Sequence, residues 1–499
     1  MANIAFLHGS GYLADDVLNK APIVRHLDPK HGVYVASRIK KEVHVGPELR
    51  SLAGEKLYAD IVAAMDEMVK ASKKYEFIYD SPYLNKKYSA AEVREIEEWL
   101  GYSMYYLCTF DKDFYDRTNR QDPRDKFELV NFMAGMTLFF RDFYRDNDIR
   151  ALYTYLEDDA FTTAAYYVAL RLGLKIIGVN FAKFPKRGLW MRDNFKDVYV
   201  WNDRIADWNE LEPLYKEGQM TGKWLMKKHA SYYSLSSIKN RIRGLRFSIN
   251  YRRYVDHVCR RYPYDRNIIA CTTIPREFKK YFLGMVRRIL MKTMITEPDP
   301  NAEYVLFGLH FMNDAQITFR EPMADQIELI MNVARALPSS CLLYVKPHPH
   351  RLGSDVSHKD MKRLKKVENI RIVNPSTLPQ EMLKNAKAVV TINSGIGFEA
   401  LLAGKPVVAF GHEFYCRDDL CHVVRDLNDL PGALERAVSG EKGGDTGRIR
   451  EIVRRMYSNV VWFKGIFYEY GYSGLTDSDG EGMARAMGSI LDRYCSGSK

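Results

Sequence analysis

Residues 341–350 read Cys341-Leu342-Leu343-Tyr344-Val345-Lys346-Pro347-His348-Pro349-His350, and residues 391–406 read Thr391-Ile392-Asn393-Ser394-Gly395-Ile396-Gly397-Phe398-Glu399-Ala400-Leu401-Leu402-Ala403-Gly404-Lys405-Pro406. The first is an apolar run of strand composition that ends in a stiff loop. The second is the end of another strand, a small polar turn and the start of a helix. Each proline fixes its own φ and restricts the residue before it, so His348 is held extended directly after a strand. Open α/β sheets bind ligands just outside the carboxyl ends of their strands. A helix N-terminus placed there offers N–H groups and a positive dipole end to a phosphate. The two stretches together read as a site for the phosphates of a nucleotide, one carrying a sugar.

Working outward, residues 304–309, 341–346, 370–373, 388–392 and 407–410 have strand character, with helical spacing over 324–336, 359–366 and 395–403 between them. Gly404 with Pro406 is a helix stop before the next strand. Residues 448–457 and 482–494 read as closing helices. The N-terminal part repeats the rhythm, with strands expected at 3–7, 33–36, 75–79, 152–156, 175–179 and 198–201, and helices at 56–72, 90–106, 126–145 and 160–172. Strands alternating with helices imply βαβ units and a parallel sheet. At 499 residues, 46% hydrophobic, the chain has material for two such cores. The expected class is α/β: two doubly wound Rossmann-type domains facing across a cleft. The expected division is 1–220, then a basic and mostly helical segment 221–300, then 301–499 including the closing helices.

The net charge of +11 belongs to one segment. Residues 221–294 hold 18 Lys and Arg against three acids (Asp256, Asp265, Glu277), a net of +15, which leaves −4 for the rest of the chain. A partner attracted by charge must meet that segment. A solvated helical face, an anionic membrane leaflet and an anionic glycan all fit it. Nucleic acid is not expected, because no motif for it accompanies the charge. The seven cysteines are scattered without a CxxC pair, which argues against structural zinc and for a reducing compartment. No signal peptide and no apolar run of about 20 residues is found, so the expected location is the cytoplasm, or the inner face of the cell membrane as a peripheral protein.

His348 can donate to a phosphoryl oxygen and, as a cation, offset charge on a leaving nucleotide. Zinc would need His348, His350 and a third ligand such as His310 or His412, and no metal-ligand spacing supports that set. Ser394 is a fair N-cap. Gly395 and Gly397 allow a ligand close to the backbone. Glu399 is placed either to take two ribose hydroxyls or to complement the helix dipole. A catalytic carboxylate is sought in Leu156-Glu157-Asp158-Asp159, at a strand end and a helix start. Clustered carboxylates there can raise one pKa for general-base work, or supply a nucleophile, and one of Asp158 and Asp159 can instead be an N-cap. His8-Gly9-Ser10-Gly11, after the first strand, reads as an ordinary glycine turn.

Residues 303–431 resemble the capsule polysaccharide biosynthesis protein family, a group that includes Kdo transferases and is distantly similar to bacterial sialyl- and polysialyltransferases. The resemblance rests on Lys-Pro-His-Pro at 346–349, Asn-Ser-Gly-Ile-Gly-Phe-Glu-Ala-Leu at 393–401, Gly-Lys-Pro-Val at 404–407 and Leu309-His310-Phe311. The chain departs from the pattern at Met312-Asn313-Asp314, where similar proteins carry Gln-Pro-Glu, and at Asp159, where a Glu-Asp-Gly-like signature has glycine. The resemblance implies a GT-B glycosyltransferase building a capsular or other surface polysaccharide. Its donor would be a nucleotide-activated sugar, a CMP-linked acidic sugar such as Kdo among them, and its acceptor a glycan or glycolipid. No resident cofactor or divalent metal is required. His348 and Ser394 would contact the donor phosphate, with Lys346, Asn393, Gly395, Gly397, Glu399 and His310 around them, and Asp158, Glu157 or Asp159 would be catalytic. Retention or inversion of the sugar stereochemistry stays open. A sugar-nucleotide epimerase, a polyol-phosphate transferase and a non-catalytic capsule assembly or export factor share these features and remain alternatives.

Overall fold

The computed structural model describes residues 2–9, 13–110, 126–155, 159–182, 188–217, 293–299, 301–310, 325–348, 358–463 and 475–495, together with 286, 290 and 317. They form two compact units. The first takes the described residues up to Ile205 and those from Met456 on; the second takes those from Ala206 to Arg455. The basic segment expected at 221–300 lies almost wholly outside the described residues.

Strands of the first unit are β1 (Asn3–His8), β2 (Gly32–Ser37), β3 (Lys74–Phe77), β4 (Ile149–Tyr155), β5 (Lys175–Phe181), β6 (Gly188–Asp193) and β7 (Asp197–Val198). Those of the second are β8 (Tyr304–Gly308), β9 (Leu342–Lys346), β10 (Ile370–Ile372), β11 (Ala386–Thr391), β12 (Val407–Ala409) and β13 (His422–Val423). β14 (Val460–Trp462) closes the series. Strands covered on both faces read as continuous apolar runs, and β8, Tyr-Val-Leu-Phe-Gly, is buried at every position.

The second sheet runs β10-β9-β8-β11-β12-β13, parallel throughout. Numbered within the unit this is 3-2-1-4-5-6, the order of the dinucleotide-binding Rossmann fold, with its topological switch point between β8 and β11. Its core joins Val305 and Phe307 of β8, Leu343 and Val345 of β9 and Val390 of β11 to Ile330 and Val333 of the helix Gln326–Ala336. The first sheet runs β14-β6-β5-β4-β1-β2-β3, with β7 on β6. β3 to β5 repeat the 3-2-1-4-5 parallel order, and β6, β7 and β14 add antiparallel strands. Two Rossmann-type α/β domains, as the alternation implied, are what the chain folds into.

Three expectations need correction. Residues 301–499 do not form one domain. β14 pairs antiparallel with β6, Val460 opposite Trp190. The helix Asp477–Cys495 buries Met483, Met487, Ile490 and Leu491 in the core that contains Ile4 and Ala21. Its Gly480 is required by close approach to the helix Leu13–His26, since a Cβ there would stand 2.3 Å from Pro22 Cβ. The boundary expected at residue 220 falls instead at 205/206, and the short helical stretch after Asp207 goes with the second unit. The single helix expected over 90–106 is two, Ala90–Leu100 and Met104–Cys108, because Gly101 takes a left-handed φ of 84° and ends the first, and Ser103 caps the second.

Candidate functional site

Three neighbouring strands of the second sheet end in the residues the sequence singled out. β8 leads to His310, β9 ends at Lys346 and continues to His348, and β11 leads to Asn393 and Ser394. The switch point therefore lies between His310 and Ser394. His310 is buried, and its Nε2 accepts from the Asn393 backbone N–H at 3.2 Å, which joins the two loops. That bond assigns the acceptor role to Nε2 and the proton to Nδ1 of the neutral ring. Gln326 clamps His310 from below. Its Oε1 accepts from the His310 N–H at 2.9 Å, and its Nε2 donates to the His310 carbonyl at 3.4 Å.

The helix Gly395–Leu402 starts at this crevice with Ser394 as N-cap, its Oγ accepting from the Ile396 N–H. Thr391 Oγ1 accepts from the Ser394 N–H at 3.0 Å, and the Tyr415 hydroxyl donates to the Ser394 carbonyl. The turn is thus held from behind. The Ile396 N–H is taken by Ser394 Oγ and the Gly397 N–H donates to the Ser394 carbonyl at 3.1 Å, which leaves the Gly395 N–H as the donor at the helix start. The two glycines part company here. A Cβ added at Gly395 would meet nothing within 4 Å among the described residues, so on their side the space beside Gly395 is open. A Cβ at Gly397 would stand 2.7 Å from Thr391 Cγ2 and 2.9 Å from Tyr415 Cε2. Gly397 is therefore a packing glycine, and only Gly395 keeps the role of admitting a ligand.

Asn393 is also structural. Its Oδ1 accepts from the His412 N–H at 2.9 Å and the Glu413 N–H at 3.1 Å, tying the loop after β12 to the end of β11. Lys346 is buried rather than presented, and its Nζ donates to the Pro375 carbonyl at 2.8 Å. Burial lowers its pKa to about 8, against a smaller opposing pull from Glu399. Glu399 is half-buried and accepts from Gln380 Nε2 at 3.0 Å. Lys346 and Glu399 thus organise the wall, while His348 and Ser394, both half-buried at strand ends, are placed to meet a ligand. His350 lies outside the described residues. Gln326, Thr391 and Tyr415 were missed: a buried glutamine in a helix, a strand threonine and a loop tyrosine carry no motif of their own.

In the first unit the switch point lies between the ends of β1 and β4. Asp159 caps the helix Ala160–Arg171, accepting from the Thr162 N–H at 2.7 Å, and Arg38 Nη1 stands 3.5 Å from its Oδ1. Being a buried cap, Asp159 is withdrawn as an acid or base. Glu157 and Asp158 lie outside the described residues. His8 is fully buried, its Nδ1 in a network with the hydroxyls of Tyr75 and Ser37, and Arg38 packs over the Phe161 ring at 5.4 Å. Ser10 and Gly11 of the expected glycine turn lie outside the described residues.

A Rossmann-type domain with a prepared helix N-terminus at its switch point is the class these features define. Residues 221–422 match the family model for "Capsule polysaccharide biosynthesis protein". Protein FixF of Sinorhizobium fredii (strain NBRC 101917 / NGR234) is 29% identical over 186 residues, 36% of this chain and 42% of that protein. Capsule polysaccharide export protein KpsS of Escherichia coli is 32% identical over 145 residues, 28% of this chain and 37% of that protein. The matches thus span about two fifths of either relative's length. Among solved structures, the beta Kdo 2,7 transferase KpsC of Thermosulfurimonas dismutans aligns with 76% of this chain and 92% of its own at 14% identity, with a TM-score of 0.33. A likeness at that level leaves the fold to be read from the chain's own strand order.

Proposed function

We propose that the protein is a glycosyltransferase that draws on a nucleotide-activated sugar to build a capsular or other surface polysaccharide. A CMP-linked acidic sugar such as Kdo is the first donor to test, and the acceptor is a glycan or glycolipid. The observation that carries the reading is the Ser394-capped helix start at the switch point of a 3-2-1-4-5-6 sheet, where no described residue stands within 4 Å of a Cβ placed on Gly395. A donor phosphate binds the Gly395 N–H at the start of the helix Gly395–Leu402, with Ser394 Oγ and the His348 imidazole beside it. His348 donates to a phosphoryl oxygen and stabilises the departing nucleotide. With Asp159 committed as a cap, the reacting carboxylate is assigned to Glu157 or Asp158, as general base or nucleophile.

The basic segment 221–294 is assigned to an anionic membrane surface or an anionic glycan. Attraction of that kind is screened beyond about 8 Å at physiological salt. The protein should therefore sediment with anionic vesicles at low salt, release at high salt and ignore neutral vesicles. Among the described residues no helix is long and apolar enough to cross a membrane.

Thermal stabilisation by a panel of CMP-, UDP- and GDP-sugars, followed by product analysis with and without acceptor, tests the proposal. Stabilisation by one donor and acceptor-dependent transfer are expected. Conversion of the donor sugar without acceptor would mean an epimerase, and a transferred polyol phosphate would mean a polyol-phosphate transferase. Binding without turnover would mean an assembly factor. Stabilisation by none of them would remove the nucleotide site.

A further inference from the structure

The first unit carries an aromatic cluster that the donor site does not use. Gly101 ends the helix Ala90–Leu100, its N–H donating to the Glu97 carbonyl at 2.7 Å. Glu97 Oε1 then accepts from the Met104 N–H at 2.6 Å, and Ser103 Oγ accepts from the Tyr106 N–H at 3.1 Å. Tyr102 sits at the apex of this pinned turn. Its ring stacks on Tyr106, with centroids 5.7 Å apart and planes 14° apart, and meets Tyr167 edge-on at 4.7 Å. Tyr106 in turn packs edge-on against Phe110 at 5.1 Å. On this support Tyr102 is 40% exposed, and Tyr105, three residues on, is 55% exposed.

We propose that this tyrosine surface docks uncharged sugar rings of the acceptor glycan, an inference that rests on the glycosyltransferase reading above. Each pyranose presents an apolar C–H face and a rim of hydroxyls. A fixed tyrosine offers the matching pair, an apolar ring and a polar tip. The Tyr102 ring is already held in place, so little of its side-chain entropy is lost on binding. The size of the patch selects the partner. At about 150–250 Å² for a whole aromatic side chain, two rings exposed to this degree offer on the order of 200 Å². A stable protein interface needs roughly 800 Å² from each partner. Charge selects further. Around the helix Ala90–Leu100, Glu92, Glu95, Glu97 and Glu98 are balanced by Arg94, by Lys86 paired to Glu92, and by Arg141 and Arg145 over the Trp99 ring, so no positive excess draws anionic lipid or acidic sugars. Place completes the reasoning. Asp159, Thr163 and Tyr167 follow at four-residue spacing, so Tyr167 lies on the same helix face as the cap, about 12 Å along it. The platform thus begins roughly two turns from the strand end at which the reacting carboxylate is assigned.

An array of neutral and acidic oligosaccharides, with phosphatidylcholine and phosphatidylglycerol vesicles alongside, tests this on the full chain. Wild type, Tyr102→Ala/Tyr105→Ala, Tyr105→Ala alone and Tyr102→Phe/Tyr105→Phe are compared, each also titrated with the donor nucleotide. Wild type is expected to hold neutral glycans and the double alanine variant to lose at least about tenfold in affinity, near 1.4 kcal/mol. Tyr105→Ala, whose ring stacks on no other among the described residues, should lose part of that with its fold intact, and the phenylalanine pair should retain most of it. Nucleotide affinity should be the same in all four. No neutral glycan held by wild type, equal retention by the double alanine variant, or a preference for vesicles or acidic glycans that the variant loses would each overturn the docking surface. Absence of nucleotide binding in wild type would instead overturn the transferase reading beneath it.

Discussion

Replacing Gly395 by Ala should leave the fold standing and weaken nucleotide binding, while the same change at Gly397 should weaken the fold itself. Gly395 is the first residue of its helix and has no left-handed φ, and an added methyl would touch none of the described residues within 4 Å. Helix propensity favours Ala over Gly by up to about 1 kcal/mol, so stability should hold or rise slightly. The methyl would, however, occupy the space through which a phosphate approaches the Gly395 N–H. Loss of one charge-assisted hydrogen bond costs about 1–3 kcal/mol, roughly 5- to 150-fold in Kd. At Gly397 the methyl would stand 2.7 Å from Thr391 Cγ2 and 2.9 Å from a ring carbon of the buried Tyr415. Overpacking of this kind costs about 1–3 kcal/mol of stability. Urea denaturation and isothermal titration with the stabilising nucleotide read the two effects separately. If Gly395→Ala binds nucleotide as tightly as wild type, the phosphate does not sit at this helix start.

Further predictions concern buried groups and the acidic pair Glu157-Asp158. Lys346 ionises near pH 8 in the folded chain against an ordinary 10.5, so between those values the unfolded chain binds more protons and stability must rise with pH. Its charged form weighs against the fold by up to about 3 kcal/mol below pH 8, and that penalty should fade toward pH 10.5. Urea midpoints at pH 7.5 and 9.5 should therefore shift in favour of wild type relative to Lys346→Met, and a pH-independent difference would show that the lysine is not so perturbed. The fully buried Thr163 hydroxyl makes no hydrogen bond among the described residues, so Thr163→Val should stabilise by about 1 kcal/mol, and a loss of stability in urea would reveal a partner. Asp158→Ala, or failing that Glu157→Ala, should abolish transfer in a product assay with nucleotide affinity nearly unchanged. Normal turnover in both would place the reacting group elsewhere.

The parallel core of the second unit was legible because fully buried strands announce themselves as apolar runs, and the Gly404-Lys405-Pro406 stop fixed the end of the site helix. The switch-point residues were legible because loop histidines, prolines and a Ser-Gly helix start stand out beside such runs. What escaped depended on tertiary partners. Gly395 and Gly397 look alike in sequence, and only the nearness of Thr391 and Tyr415 separates them. Lys346 sits in a motif that suggests a ligand, yet its ammonium is spent on a backbone carbonyl. The helix Asp477–Cys495 shows its apolar stripe plainly, but a stripe does not say which sheet will cover it. The return of the chain to the first unit is set by the short β14, too brief to carry a strand signal.

A crystal structure with the nucleotide that stabilises the protein most tests the central claim directly. The account predicts a phosphate oxygen within about 3 Å of Ser394 Oγ and the Gly395 N–H, with the His348 ring facing it across the ends of β8 and β9. A nucleotide whose phosphates lie away from the β8–β11 switch point, with Gly395 still facing open space, would contradict it.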